Sequence, residues 1–197
     1  PYHRAGLLQG LLTTLALAAA VLIGSLAIGA GGAFVLARRV PLLTPLLYGV
    51  LAVMRMTPPL LQLYLVFFGI GGLVALYGLT LSAFWTAVAV LSFYSGAANA
   101  AVLAEAGETI APGSAHRLKR VLRLAHPAVM GSCINIVKAT AMASAIAVPE
   151  LVHASTAIAA DYGNGAVMMN ILLAVYVLIV LAVAHLFTVF ERRMLSR

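Results

Sequence analysis

Uncharged apolar residues fill this chain in long blocks, set apart by short polar breaks. No charge falls between Gly6 and Ala37, and none between Met56 and Ala104. A bilayer span takes about 20 mostly apolar residues, so the second block holds more than one span. The pattern predicts five helices over 8–37, 43–69, 82–104, 127–150 and 165–190. Together they form a single all-α transmembrane domain over 1–197. The breaks have local causes: "ARRVP" (37–41) joins charge to a proline, "GIGG" (69–72) and "LYGLTLS" (76–82) are turn-like, and "DYGNG" (161–165) is a turn cluster. The segment "PGSAHRLKRVLRLAHP" (112–127) is basic and bracketed by prolines. The first block is too long for the apolar core of a signal peptide and reads as a retained span.

Composition agrees: 63% of the 197 residues are hydrophobic and only 9% charged, far less charge than a soluble domain carries. A net charge of +7 would suggest nucleic acid in a soluble protein; here it flanks the spans. Arg38 and Arg39 follow the first, Arg117, Lys119, Arg120 and Arg123 lie between the third and fourth, and Arg192, Arg193 and Arg197 follow the fifth. The opposite face has Arg4 and the acids Glu150 and Asp161. The positive-inside rule then places the N-terminus outside and the C-terminus in the cytoplasm. An odd span count without an internal repeat weakens the reading of a secondary carrier, whose site two repeats usually frame. A dimer restores symmetry. The single cysteine, Cys133, forms no internal disulfide.

Two basic residues, Arg55 and Lys138, fall inside spans. In "MRMTPPLLQ" (54–62) the prolines remove donors and crowd the preceding turn. The expected structure is a broken helix with Thr57 as N-cap and Pro58 as first residue of the new half. Such a break must face protein or water, and its positive end beside Arg55 suits an anionic group such as a carboxylate. The alternative is a proline kink with Arg55 snorkelling to the interface. If Pro127 opens the fourth span, Lys138 lies roughly 17 Å along it, near the bilayer centre, where a cation usually faces a pathway or a partner. The same helix has small residues at four-residue spacing, Gly131, Asn135, Ala139, Ala143 and Ala147, a surface for close helix packing. Thr140 and Ser144 form a hydroxyl row beside it. Arg55, Thr57, Gln62, Lys138, Thr140 and Ser144 are therefore the candidate pathway residues. His116, His126 and His185 have no second ligand at metal-like spacing. No phosphate loop, nucleophile elbow or carboxylate pair is present, so the chain is not expected to be an enzyme.

These residues resemble a known family. "MRMTPPLLQLYLVFFGI" (54–70), "LSAFWTAVAVLSFYSGA" (81–97) and "IVKATAMASAIAVPELVHAS" (136–155) are similar, in order, to segments of the membrane permeases of polar amino-acid ABC importers. The carriers of the likeness are Arg55, Thr57, Pro58, Leu60, Gln62, Leu63, Lys138, Thr140, Ser144, Val148, Pro149, Glu150 and Leu151. Met56, Ala139 and Gly131 stand where the family usually has Gly, Asp and Asn. The resemblance implies a type I importer permease with five spans and an external N-terminus, in a bacterial inner membrane. It also implies a second permease subunit (a homologous heterodimer ahead of a homodimer), two copies of a cytoplasmic ATPase that binds ATP and Mg, and a periplasmic amino-acid-binding protein. No cofactor is then expected in this chain.

The family's cytoplasmic Glu-Ala-Ala…Gly coupling segment belongs in the loop at 105–126. Glu105, Ala106 and Gly107 resemble its start, but its later glycine falls on Ala111, and the connector is short. A basic amphipathic helix with Leu118, Val121, Leu122 and Ala125 on one face is still expected there, with Ala115, Leu118 and Arg120 as candidate ATPase contacts. A carrier or channel using Arg55 and Lys138, and a scaffold without transport, are the rival readings.

Overall fold

A helix of 37 residues, α1 (Tyr2–Arg38), opens the chain. At 1.5 Å per residue it is about 55 Å long, well beyond the roughly 30 Å hydrocarbon core. The computed structural model describes residues 2–195, with side chains from 5 to 193; Arg197 and the side chain of Arg4 lie outside these. There follow α2 (Leu43–Met56), α3 (Pro59–Tyr64), a π-helical stretch (Leu65–Ile70), α4 (Gly71–Ala75) and α5 (Ala83–Thr109). The second half holds α6 (Arg117–Ala139), a 3-10 stretch (Thr140–Ile146), α7 (Leu151–Tyr162), α8 (Gly165–Phe190) and a terminal π turn (Glu191–Leu195). No strand occurs among the described residues.

Among the described residues four helices are long and apolar enough to cross a bilayer; the pair Leu43–Met56 and Pro59–Ala75, bent by 107°, makes a fifth crossing if counted as one span. The helix expected over 43–69 is thus two pieces, reaching Ala75. The helix expected to start at Pro127 starts at Arg117 instead and runs through the proline. Its early turns hold because their apolar face is covered: Val121, Ala125 and Val129 pack with Ala106 and Leu103 of α5 and Phe187 of α8. Leu118, expected on that face, is 72% exposed. Because α5 extends to Thr109, only residues 110–116 of the segment 105–126 lie between helices, with Gly113 at φ 82° and His116 at φ 55° in the left-handed region.

α7 was not expected. Its boundaries have ordinary causes, an acidic N-cap at Glu150 and a left-handed C-terminal glycine at Gly163 (φ 66°).

The core lies where α5 is flanked by α1, α6 and the 3-10 stretch, around Leu17, Val21, Leu63, Leu91, Ile136, Ile146 and Val148. α1 packs chiefly on α5, and glycines set their separation. A Cβ on Gly29 would lie 2.6 Å from that of Asn99, one on Gly32 would lie 2.8 Å from that of Ala100, and one on Gly96 would lie 2.6 Å from Ile28. Close backbone approach is how helices associate where lipid offers no hydrophobic drive. α8 is apolar nearly all round, with Leu173, Leu178, Leu181 and Leu186 exposed, as suits a lipid- or partner-facing helix.

Candidate functional site

The break at residue 57 is built as an internally satisfied joint. Thr57 is extended (φ −96°, ψ 137°), as the following proline demands, but it closes α2, and Pro58 is the N-cap of α3. The cap expected at Thr57 therefore falls one residue later. Pro58 and Pro59 leave carbonyls at the end of α2 without their usual donors. Gln62 answers one of them, Met54 O (2.9 Å), through its Nε2, which also donates to Thr57 O (3.1 Å) and Thr57 Oγ1 (2.6 Å). Thr57 Oγ1 in turn donates to Val53 O (2.8 Å). Gln62 and Thr57 thus hold the bend, with Gln62 buried and its Oε1 unpartnered. Arg55, on the last turn of α2, is exposed and forms no ion pair among the described residues.

Lys138 lies on the last turn of α6, exposed, and pairs with no acid among the described residues. It borders an open groove of ≈470 Å³ walled by Val152 of α7 and by α8 from Met169 to Leu181. Asn135 is exposed and Gly131 has open space before it; with Lys138 they recur at helical spacing, so one face of α6 is left without a neighbour. The small-residue stripe divides here. Ala139 and Ala143 enter the chain's own core, while Ala147 is exposed at φ 60°. The hydroxyl row turns inward: Thr140 donates to Val137 O (2.7 Å) and Ser144 to Ala141 O (2.8 Å), so both brace the 3-10 stretch.

Sequence reasoning passed over the role of Glu150. It lies between the spans Arg117–Ile146 and Gly165–Arg193 and is fully buried. Its carboxylate accepts from Val152 N (2.8 Å) and His153 N (2.9 Å), capping α7, and from Tyr176 Oη of α8 (3.3 Å) and Thr14 Oγ1 of α1 (3.4 Å). Leu151 N donates back to Thr14 Oγ1 (3.0 Å). Burial pushes the carboxyl up from its ordinary value, and the two backbone donors pull it partly back. One side chain therefore joins α1, α7 and α8. An acid immediately before an apolar helical run could have signalled the cap; nothing local signals Thr14 or Tyr176.

At the connection between α5 and α6, Arg117 ties the two helices together. Its Nη2 donates to Gly107 O (2.7 Å) and its Nε to Ile110 O (3.3 Å), placing a cation at the carbonyl end of α5, where the helix dipole favours it. Arg39 pairs with Glu108 (3.5 Å), both largely exposed. Of the candidate coupling residues, Glu105, Ala115, Leu118 and Arg120 are exposed, Gly107 is half-buried and Ala106 is buried. His126 Nδ1 lies 3.7 Å from Glu191 Oε2, its ring stacked on Phe190. No group of three metal-ligating side chains occurs among the described residues.

The arrangement defines a class, a multi-pass helical membrane protein with a cation and an amide on an open helix face. The particular fold has a solved counterpart. A chain in the crystal structure of an amino acid ABC transporter with histidines superimposes at a TM-score of 0.83, with 22% identity over 98% of this chain and 95% of that one. At that identity the likeness is one of fold. No protein-family model matches the sequence, and no curated protein matches it.

Proposed function

We propose that the chain is the membrane subunit of an ATP-driven importer and forms the route for an amino acid or close derivative. The observation that carries the reading is the open face of α6: Asn135 and Lys138 stand exposed in an apolar span, on a chain whose whole length has the fold of an amino acid ABC transporter chain. In a membrane such groups face water, partner or cargo. In this reading the chain crosses five times, N-terminus outside, in a bacterial inner membrane. A second permease, of homologous sequence, covers the open face of α6. A periplasmic binding protein delivers the cargo, and two cytoplasmic ATPase subunits bind ATP and Mg. The chain itself performs no catalysis and holds no cofactor. ATPase movements enter through Ala115, Leu118 and Arg120 and pass to α5 through Arg117. Co-expression with candidate ATPase and partner genes, followed by reconstitution, tests this. ATP-dependent uptake that is lost in Lys138→Met, with the complex still assembled, is the expected result. ATP-independent uptake, or normal uptake by the variant, overturns it.

A further inference from the structure

The groove beside Lys138 bears on which amino acid is carried. This step rests on the importer reading. All five Asp and Glu side chains have described positions, and none lines the groove. Glu105 and Asp161 are exposed at helix ends, Glu108 pairs with Arg39, and Glu191 lies against His126. Glu150 sits behind Tyr176, fully buried, with four donors on its two oxygens. Among the described residues Lys138 is thus the one charge on the groove wall; the rest is apolar, led by Met169, Leu173, Val177 and Leu181, with Tyr176 turned to Glu150. A volume of ≈470 Å³ falls in the range of small-molecule sites.

We infer that this groove is a substrate subsite in which Lys138 Nζ holds the α-carboxylate and the α8 wall takes an uncharged, apolar side chain. A cationic side chain would stand within a few ångströms of Lys138 with no acid of this chain to answer it, in a region of low dielectric where like charges repel strongly. The resemblance implies a polar or charged substrate; the walls of this groove favour a neutral apolar one.

The test uses the assembled complex in nanodiscs, without binding protein, and labelled leucine, glutamate and arginine as probes. Leucine is expected to bind at least tenfold more tightly than arginine. Lys138→Arg should keep leucine binding, Lys138→Glu should reverse the order in favour of arginine, and Leu173→Trp should block leucine by filling the groove. Arginine binding as tightly as leucine, or an unchanged order in Lys138→Glu, overturns the inference. So does leucine binding that survives Leu173→Trp, which would assign the groove to lipid or a partner helix. If the wild-type complex shows ATP-driven uptake and any of these occurs, only the subsite falls. If it shows no ATP-driven uptake of any amino acid, the importer reading itself has failed.

Discussion

Replacing Gln62 with leucine separates the joint at the α2–α3 break from the route beside it. The amide donates to three acceptors, Met54 O, Thr57 O and Thr57 Oγ1, and has two hydrogens with which to do so. Leucine matches its size but leaves both carbonyls without that donor. A net hydrogen bond is worth about 0.5–1.5 kcal/mol, and a stranded buried acceptor costs about 1–3 kcal/mol. In membrane proteins measured side-chain bonds average near 0.6 and reach about 1.7 kcal/mol. Two lost bonds therefore cost about 1–3 kcal/mol, at the lower end if the bend relaxes. For a chain of this size each kcal/mol lowers Tm by roughly 2–4 °C. The assay is thermal unfolding of the purified complex, followed by spin-label distances between Leu47 and Leu73 across the bend. A drop of several degrees with a broadened distance distribution is expected. Gln62→Glu, which cannot donate when ionised, should be at least as damaging. Unchanged Tm and distances in Gln62→Leu would show that the prolines alone hold the break and that the glutamine braces nothing.

Gly29→Ala should cost about 1–3 kcal/mol by overpacking against Asn99, whose Cβ would lie 2.6 Å away; Gly31→Ala, with open space before it in the same helix, should raise the unfolding midpoint slightly, by about 0.4–1 kcal/mol of lost chain freedom. Glu150→Ala removes a cap and strands two hydroxyls, at an expected cost of about 2–4 kcal/mol. Because burial holds the Glu150 carboxyl above its ordinary value, its protonated form is favoured in the fold, so its contribution to stability should grow as pH falls from neutral toward that value. Glu150→Gln should flatten this slope in pH-dependent melts. Ala147→Gly relieves a left-handed residue at φ 60°; the gain, about 1–2 kcal/mol less about 0.4–1 for added chain freedom, should raise Tm slightly, whereas Ala147→Val lowers it. Cysteines at Ala115 and Leu118, both exposed, should cross-link to the ATPase, and failure of both to do so would remove this segment from the coupling surface.

Much of the architecture is legible in the sequence because lipid imposes a simple rule. An uncharged apolar block of sufficient length must be helical, and the two blocks bounded by Gly6–Ala37 and Met56–Ala104 obey it. The break at Thr57 is legible too, since two prolines constrain only their neighbours. What stays hidden depends on groups far apart in the chain. Glu150 meets Thr14 across 136 positions, and no period or spacing records that. The start of α6 is misjudged because Pro127 is a local stop signal overruled by packing of Val121 and Ala125 on α5. Thr140 and Ser144 look like a polar row by spacing, but each hydroxyl is spent on a carbonyl three residues back.

That last point divides the polar residues of the spans into two kinds. Thr57, Gln62, Thr140 and Ser144 are consumed by the chain itself. Each sits where a helix breaks or tightens, and each supplies a bond that lipid cannot. Substituting them should register first as lost stability, by roughly 0.6–1.7 kcal/mol per bond. Lys138 and Asn135 are consumed by nothing described in the chain. A lysine inside an apolar span is costly to insert, and no contact among the described residues of this subunit offsets it. Whatever offsets that cost comes from outside the subunit, as water, a partner helix or cargo. A residue of this kind should tolerate replacement by methionine with little loss, or even a gain, in the stability of the isolated subunit. Its loss should register only when the missing partner is present. Measuring Lys138→Met in the isolated subunit and in the assembled complex therefore separates the two kinds of residue: destabilisation of the isolated subunit would place Lys138 with the braces and remove it from the route.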